Sequence, residues 1–293
     1  MERFEFRQDY FSEPQTFAAL SDLLHDTFGI DILAQNRFGG PDPSSMAFGY
    51  FDAQGRCVAN FSTFTMPMII GGAEIKFAGY QSGAVRPEYR GRGLYRRLMK
   101  SAFDWAEETG HEAGILLTDK PTLYTPYGFR VVEQFKTVGP APAVTNRTGS
   151  ARLLNISNSD DAQLISRLLD RRMAVSREFA VVRQKEMFLL NAWFDREIAL
   201  TYLQKPEAII AWKRQGDEAL ALLDVVAEKM PSIPELLSAV GASAASIDVH
   251  FPTDNLHWQG EKASYRASCE LMVTENMLEK MPSGVMLSPM ADF

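Results

Sequence analysis

Apolar and polar residues alternate along the chain with periods that change from element to element. Apolar side chains recur at helical spacing over residues 15–28 and stop before Gly29, which predicts a helix. Strands are predicted where apolar runs are bounded by turn residues, at 3–8, 46–52, 56–66 and 73–86. The chain thus opens with both kinds of element.

After residue 93 the apolar period becomes helical again. One face of the predicted helix carries Leu94, Leu98, Met99, Ala102, Trp105 and Ala106. Gly110 is placed to end it, and apolar runs at 113–118 and 129–138 predict two more strands.

The order of elements repeats after residues 139–150, GPAPAVTNRTGS, whose composition is that of a linker. A strand at 151–156 is followed by helices, three strands between 197 and 228, a helix and a last strand at 246–251. This repeat of element order predicts two tandem modules, residues 1–140 and 151–293.

Composition narrows the range of functions. The net charge of -7 argues against general binding to nucleic acids or membrane surfaces. Two distant cysteines, Cys57 and Cys269, do not make a disulfide framework, and the four histidines lack metal-ligand spacing, so we predict no metal. Without an apolar leader or a membrane-length apolar run, we expect a cytoplasmic protein with no membrane contact.

One stretch is strongly basic although the chain as a whole is acidic. Five arginines fall within residues 86–97, RPEYRGRGLYRR. It lies between a predicted strand and a predicted helix. A helix N-terminus offers unpaired N–H groups and partial positive charge, and glycines allow close approach of a ligand. The stretch therefore predicts an anion site, above all for phosphate. It lacks both G-K-[ST] and G-x-G-x-x-G, which argues against the common nucleotide loops.

The sequence VRPEYRGRGLYRRLM resembles the coenzyme A loop of the GNAT superfamily of N-acetyltransferases, whose motif is [QR]-x-x-G-x-[GA]. Arg90 and Gly93 match the motif, whereas Tyr95 stands where Gly or Ala is usual. In this respect the chain is similar to the enhanced intracellular survival (Eis) branch, in which that position is often larger. Further on, LYTPYGF resembles the family's Y-x-x-x-G-F, with Tyr124 as its tyrosine.

The resemblance implies an α+β fold of two GNAT-like modules, each a mixed, mostly antiparallel central sheet flanked by helices. The second module, without an Arg-Gly loop, is expected not to bind coenzyme A. Eis-like proteins usually continue into a sterol-carrier-like domain, for which this chain is too short, so two modules and no third are predicted.

The implied reaction is transfer of an acetyl group from acetyl-CoA to a primary amine in a ternary complex. The residues expected to bind the cofactor are Gly83, Ala84, Val85, Arg90, Gly91, Arg92, Gly93, Leu94 and Tyr95. The backbone N–H near Val85 would polarise the thioester carbonyl. Tyr124 would protonate the leaving thiolate. Candidates for the base are a terminal carboxylate on Phe293, the carboxylates of Asp119 and Glu74, and a water chain.

The sequence leaves alternatives open. The acceptor is expected to be a small-molecule or peptide amine, and Eis-like relatives suggest a homo-oligomer. The rival interpretation is a non-catalytic acyl-CoA-binding or sensing protein that keeps the loop without the acceptor chemistry. A nucleic-acid-binding role for the Arg-Gly stretch is disfavoured by the acidic balance.

Overall fold

The computed structural model describes residues 3–143, 150–216, 218–241 and 244–293. The chain forms two compact units. The first contains the residues up to Met66 together with Lys76–Leu117, and the second contains Pro67–Ile75 with Thr118–Phe293. The assignment of 1–140 and 151–293 to two modules stays a prediction, and residues 144–149 of the predicted linker lie outside the described residues.

The first unit is built on a mixed sheet with the strand order β1-β2-β3-β4-β5. Its strands are β1 (Glu5–Gln8), β2 (Met46–Phe51), β3 (Cys57–Ile70), β4 (Ala73–Val85) and β5 (Ala113–Thr118). β1, β2 and β3 are antiparallel neighbours, whereas β4 and β5 run parallel. The tip of the β3–β4 hairpin belongs to the second unit.

Two helices complete the first unit, α1 (Pro14–Phe28) and α2 (Leu94–Glu108). α1 ends because Gly29 adopts a left-handed conformation, with φ 73°. Its apolar stripe is buried in a cluster that includes Phe17 and Leu20 of the helix with Phe51 of β2 and Ala84 of β4. The stripe predicted over 15–28 is therefore the face that the helix buries.

A seven-stranded sheet forms the centre of the second unit, in the order β14-β7-β13-β12-β11-β10-β8. Its strands are β7 (Gln134–Pro140), β8 (Ala151–Leu154), β10 (Ala199–Leu203), β11 (Ala208–Gln215), β12 (Ala219–Ala227), β13 (Ser246–Val249) and β14 (Glu261–Tyr265). Only the β12–β13 neighbours are parallel among these described strands. The α+β class with mixed, mostly antiparallel sheets is thus confirmed.

The described part of the second unit contains three α-helices, α3 (Ser159–Leu169), α4 (Lys185–Phe194) and α5 (Ile233–Val240). Asn158 caps α3 by accepting from two backbone N–H groups of its first turn. α5 packs its apolar residues into a core with β10, β11, β12 and β13. The predicted helices of this half are therefore present.

The second unit also departs from the predicted elements. The strand predicted over 129–138 is broken after Val131, because β6 (Phe129–Val131) pairs with β15 (Glu270–Thr274) whereas β7 pairs with β13 and β14. β9 (Phe179–Val181), which pairs with the end of β3, is not among the predicted strands, nor are β14 and β15. A single apolar run of sequence thus serves two different sheets.

Candidate functional site

β4 and β5 of the first unit separate part-way along their length. They pair in parallel from Phe77↔Ala113 to Tyr80↔Leu116. β4 then continues to Val85 beyond its last pair with β5. Ser82 in this segment has φ 58°, a left-handed conformation that interrupts the pleat. The residues predicted to contact the cofactor arm, Gly83–Val85, follow this irregularity directly.

The loop after β4 leads into the N-terminus of α2. Gly91 and Gly93 have φ values of 76° and 73°, and Gly93 is the N-cap of the helix. No side chain of the described residues caps this end, and no acidic residue lies in the first turn. The first N–H groups of α2 therefore have neither an intrahelical acceptor nor a side-chain cap, so the chemistry suits an anion.

Arg86 differs from the other arginines of this stretch because it is buried, with only 5% of its surface exposed. Its Nε donates to the carbonyl of Cys57 at 2.9 Å, and its two terminal nitrogens contact Asp22, at 2.6 Å, and Asp26 of α1. Burial alone would lower the pKa of Arg86, but the two carboxylates outweigh it and raise that pKa. Arg86 thus fastens α1 to the sheet.

Arg90 and Arg92 lie exposed in the loop. Arg90 Nε donates to the carbonyl of Val85 at 3.2 Å, which ties the loop back to β4. The guanidinium of Arg92 lies over the rings of Tyr89 and Phe4, 5.1 and 5.6 Å from their centroids. Both predicted phosphate-binding arginines are therefore anchored beside the glycines.

Tyr95, the departure from the GNAT motif, packs against Gly83 of β4. A Cβ at Gly83 would overlap the Tyr95 hydroxyl, so a larger residue there would force the Tyr95 ring to move. The Tyr95 ring meets Phe61 edge-on at 5.5 Å, and Phe61 in turn stacks on Tyr80 at 5.8 Å. Tyr95 thus fits at this position because Gly83 of β4 leaves room for its hydroxyl.

The predicted acid and base belong to the second unit. Tyr124 is buried after the short 3-10 turn Pro121–Leu123, and its ring meets Phe129 edge-on at 6.3 Å. Phe293 is half-buried. Their predicted roles remain predictions.

The segment that precedes Phe293 is held by side chains of the second unit. Ser288 Oγ donates to the carbonyl of Leu223 at 3.0 Å, and Asn191 Nδ2 donates to the carbonyl of Asp292 at 2.9 Å. The Asp292 side chain is exposed. Sequence reasoning did not single out this carboxylate.

Asn60 is a further residue that sequence reasoning missed. It is a fully buried polar side chain in β3, and its Nδ2 donates to the carbonyl of Ser82 at 2.8 Å. The available signal was a lone amide within the apolar run CVANFSTF. Its partner is 22 residues away, so the sequence could not indicate what it does.

Two other classes of site do not occur in the described part of the chain. No helix there is both long enough and apolar enough to cross a bilayer. Among the same residues, no cluster of three or more histidine, cysteine, aspartate or glutamate side chains could bind a metal ion.

Comparison with known proteins finds a family match for part of the chain. Residues 31–132 match the family described as acetyltransferase (GNAT) domain. The Escherichia coli K12 protein described as uncharacterized N-acetyltransferase YhbS is 35% identical over 65 residues, which is 22% of this chain and 38% of that relative. The chain thus covers less than half of this curated relative.

Two solved structures share the fold over most of the chain. A probable N-acyltransferase from Enterococcus faecalis V583 has a TM-score of 0.62 at 14% identity, covering 96% of this chain and 76% of that one. Eis1 from Mycobacterium abscessus has a TM-score of 0.58 at 16% identity, covering 92% and 73%. The similarity to Eis proteins predicted from the sequence is therefore confirmed at the level of fold.

Proposed function

We propose that the protein transfers an acetyl group from acetyl-CoA to a primary amine, starting from the match of residues 31–132 to the GNAT acetyltransferase domain. The observation that carries the proposal is the α2 N-terminus, which has two left-handed glycines and no side-chain cap and follows the point where β4 leaves β5. A phosphate ester with a long polar arm suits that combination.

The pyrophosphate of acetyl-CoA is assigned to the N–H groups around Gly91, Gly93 and Leu94. Arg90 and Arg92 contribute positive charge beside them. The pantetheine arm would run along Gly83–Val85, whose backbone extends past the paired part of β4. The N–H near Val85 would then donate to the thioester oxygen as negative charge develops there.

The transfer itself needs two proton movements. The neutral amine attacks the thioester carbonyl, and the departing thiolate takes a proton for which Tyr124 is the proposed donor. The amine must first lose a proton, and Phe293 remains the predicted source of the base.

Calorimetric titration of the full chain with acetyl-CoA tests the binding step. We expect one site per chain. Two sites would contradict the assignment of binding to the first unit, and no binding would overturn the proposed function.

Turnover is then measured as coenzyme A release with a panel of small-molecule and peptide amines. Tyr124→Phe should lower kcat by roughly a hundredfold or more while the acetyl-CoA affinity is kept, because only the acid is removed. Tyr127→Phe, in the next short turn, is the matched control and should retain kcat. Binding without acetylation of any amine would favour the alternative of a non-catalytic acyl-CoA sensor.

A further inference from the structure

A buried network in the first unit ends at the strained residue of β4. Tyr10, with no exposed surface, donates its hydroxyl to Asn60 Oδ1. Asn60 Nδ2 donates to Ser62 Oγ at 3.0 Å and to the carbonyl of Ser82 at 2.8 Å. The network thus links the N-terminal segment through β3 to β4.

The direction of these hydrogen bonds follows from Tyr10. Burial raises the pKa of Tyr10 well above its usual range, so the phenol stays protonated and acts as a donor. Asn60 must accept with its oxygen, which turns its NH₂ group toward the Ser82 carbonyl. Gly49 provides the room, since a Cβ there would overlap the Tyr10 hydroxyl.

Ser82 needs such a partner because of its backbone. Its φ of 58° is unfavourable for a residue with a Cβ, and a conformation of this kind persists when its surroundings fix it. The hydrogen bond from Asn60 fixes its carbonyl, and the Tyr95 hydroxyl packs on the next residue, Gly83. The strained peptide is therefore held by β3 and by α2.

We propose that Asn60 is a positioning residue that holds Ser82 in its left-handed conformation and thereby aims the backbone N–H groups of Gly83–Val85 at the acyl thioester. The inference rests on the proposed function, since it assigns a purpose to strain in the segment proposed to bind the cofactor arm. Because the loop glycines would hold the pyrophosphate separately, the effect of Asn60 should fall on the reaction step and not on cofactor affinity.

Asn60→Asp is the direct test, since it keeps the shape and removes the NH₂ donor. We expect kcat to fall at least about tenfold, while the calorimetric Kd for acetyl-CoA stays within about twofold of the wild type. Thr63→Val is the matched control. Thr63 is equally buried in β3, its Oγ1 makes no hydrogen bond with the described residues, and its loss should leave kcat and Kd unchanged.

Tyr10→Phe provides a second variant if Asn60→Asp does not fold, because it removes only the hydroxyl that orients Asn60. A folded Tyr10→Phe protein should lose kcat about threefold or more with Kd kept. Normal kcat in a folded Asn60→Asp protein, or in Tyr10→Phe where the former is unfolded, would overturn the inference alone. A wild-type chain that does not bind acetyl-CoA would overturn the proposed function and this inference together.

Discussion

The two units repeat one supersecondary unit, a strand, a loop, a helix and a parallel strand. In the first unit it is β4, α2 and β5, and in the second it is β12, α5 and β13. Each pair of strands makes four parallel Cα pairs. In both, the first strand runs beyond the last pair. The backbone plan is therefore shared, and a difference in function must come from what surrounds the helix and the strand.

The helix N-termini differ in how their polar groups are satisfied. α5 begins with a capping box, in which Ser232 and Glu235 bond each other's backbone N–H groups. The equivalent positions of α2 are Gly93 and Arg96, and no described side chain caps it. A helix N-terminus becomes an anion site only when the chain does not supply its own acceptors.

The extended strands both receive side-chain hydrogen bonds, but from different parts of the chain: β4 from Asn60 and Arg90, and β12 from the C-terminal segment. Beyond its pairing with β13, β12 accepts a hydrogen bond from Ser288 at the carbonyl of Leu223. The next residue, Asp224, forms an ion pair with Arg172, with 2.6 Å between the guanidinium nitrogen and the carboxylate oxygen. Ser288, near the C-terminus, thus occupies one carbonyl of the β12 extension. Under the proposed function, acetyl-CoA would supply at α2 the acceptors that the capping box supplies at α5.

The largest expected effect comes from a substitution in the loop before α2. Gly93→Val should abolish measurable acetyl-CoA binding, because a β-branched residue disfavours φ 73° and displaces the N–H groups. Gly241→Val is the matched control, since its φ is 65° and a Cβ added at either glycine would meet no atom within 4 Å. It should lose similar stability in urea unfolding and keep the affinity. Equal affinities in the two variants would contradict the loop assignment.

Lowering the pH should destabilise the second unit because of His250. Both its ring nitrogens are buried without a hydrogen bond among the described residues, and desolvation, aided by Lys136 and Lys213 against Asp248, lowers its pKa to about 4. Unfolding frees it to bind a proton near pH 6.5, so stability falls as the pH falls through this window. Between about pH 7 and pH 5 the loss from this group is about 2 kcal/mol.

Urea unfolding of the wild type and of His250→Leu at both pH values measures this loss. The variant should show a pH dependence smaller by that amount. The same pH dependence in both proteins would mean that folding leaves the pKa of His250 unchanged.

Arg96→Glu gives the first turn of α2 the negative charge that Glu235 gives the first turn of α5. A carboxylate in the first turn should stabilise the helix slightly yet weaken acetyl-CoA binding about tenfold, so stability and affinity should move in opposite directions. Lys100→Glu, one turn further, makes the same change of charge and should alter the affinity less than about twofold. If calorimetry shows that both variants lose affinity equally, only a long-range charge effect is indicated.

The loop could be predicted from the sequence because its signal is local. Arginines, glycines and the start of an apolar helix lie within residues 86–98, and glycines at positive φ need no distant partner to be recognised. The helices and most strands could be predicted for the same reason, since their period is contained in each segment.

What could not be predicted depends on distant pairing. The break between β6 and β7 exists because their partners lie in different sheets, and β15 is far from β6 in sequence. The sequence groups Arg86 with the arginines of the anion site, yet its carboxylate partners are on α1, at Asp22 and Asp26. The proposed role of Asn60 likewise depends on its hydrogen bond to Ser82, and no local sequence pattern indicates that pairing.

The smallest expected effect concerns the cap of α5. The Ser232 hydroxyl and then its N–H lower the pKa of Glu235, so the cap stabilises the fold above the ordinary glutamate pKa and is lost in acid. Glu235→Ala should cost about 1 kcal/mol in urea unfolding near neutral pH, and Glu235→Gln less, because glutamine also closes a capping box. Neither should create a second acetyl-CoA site, since the residues before α5 include Pro231 and no glycine. A second site in Glu235→Ala would mean that the cap alone separates the two units in function.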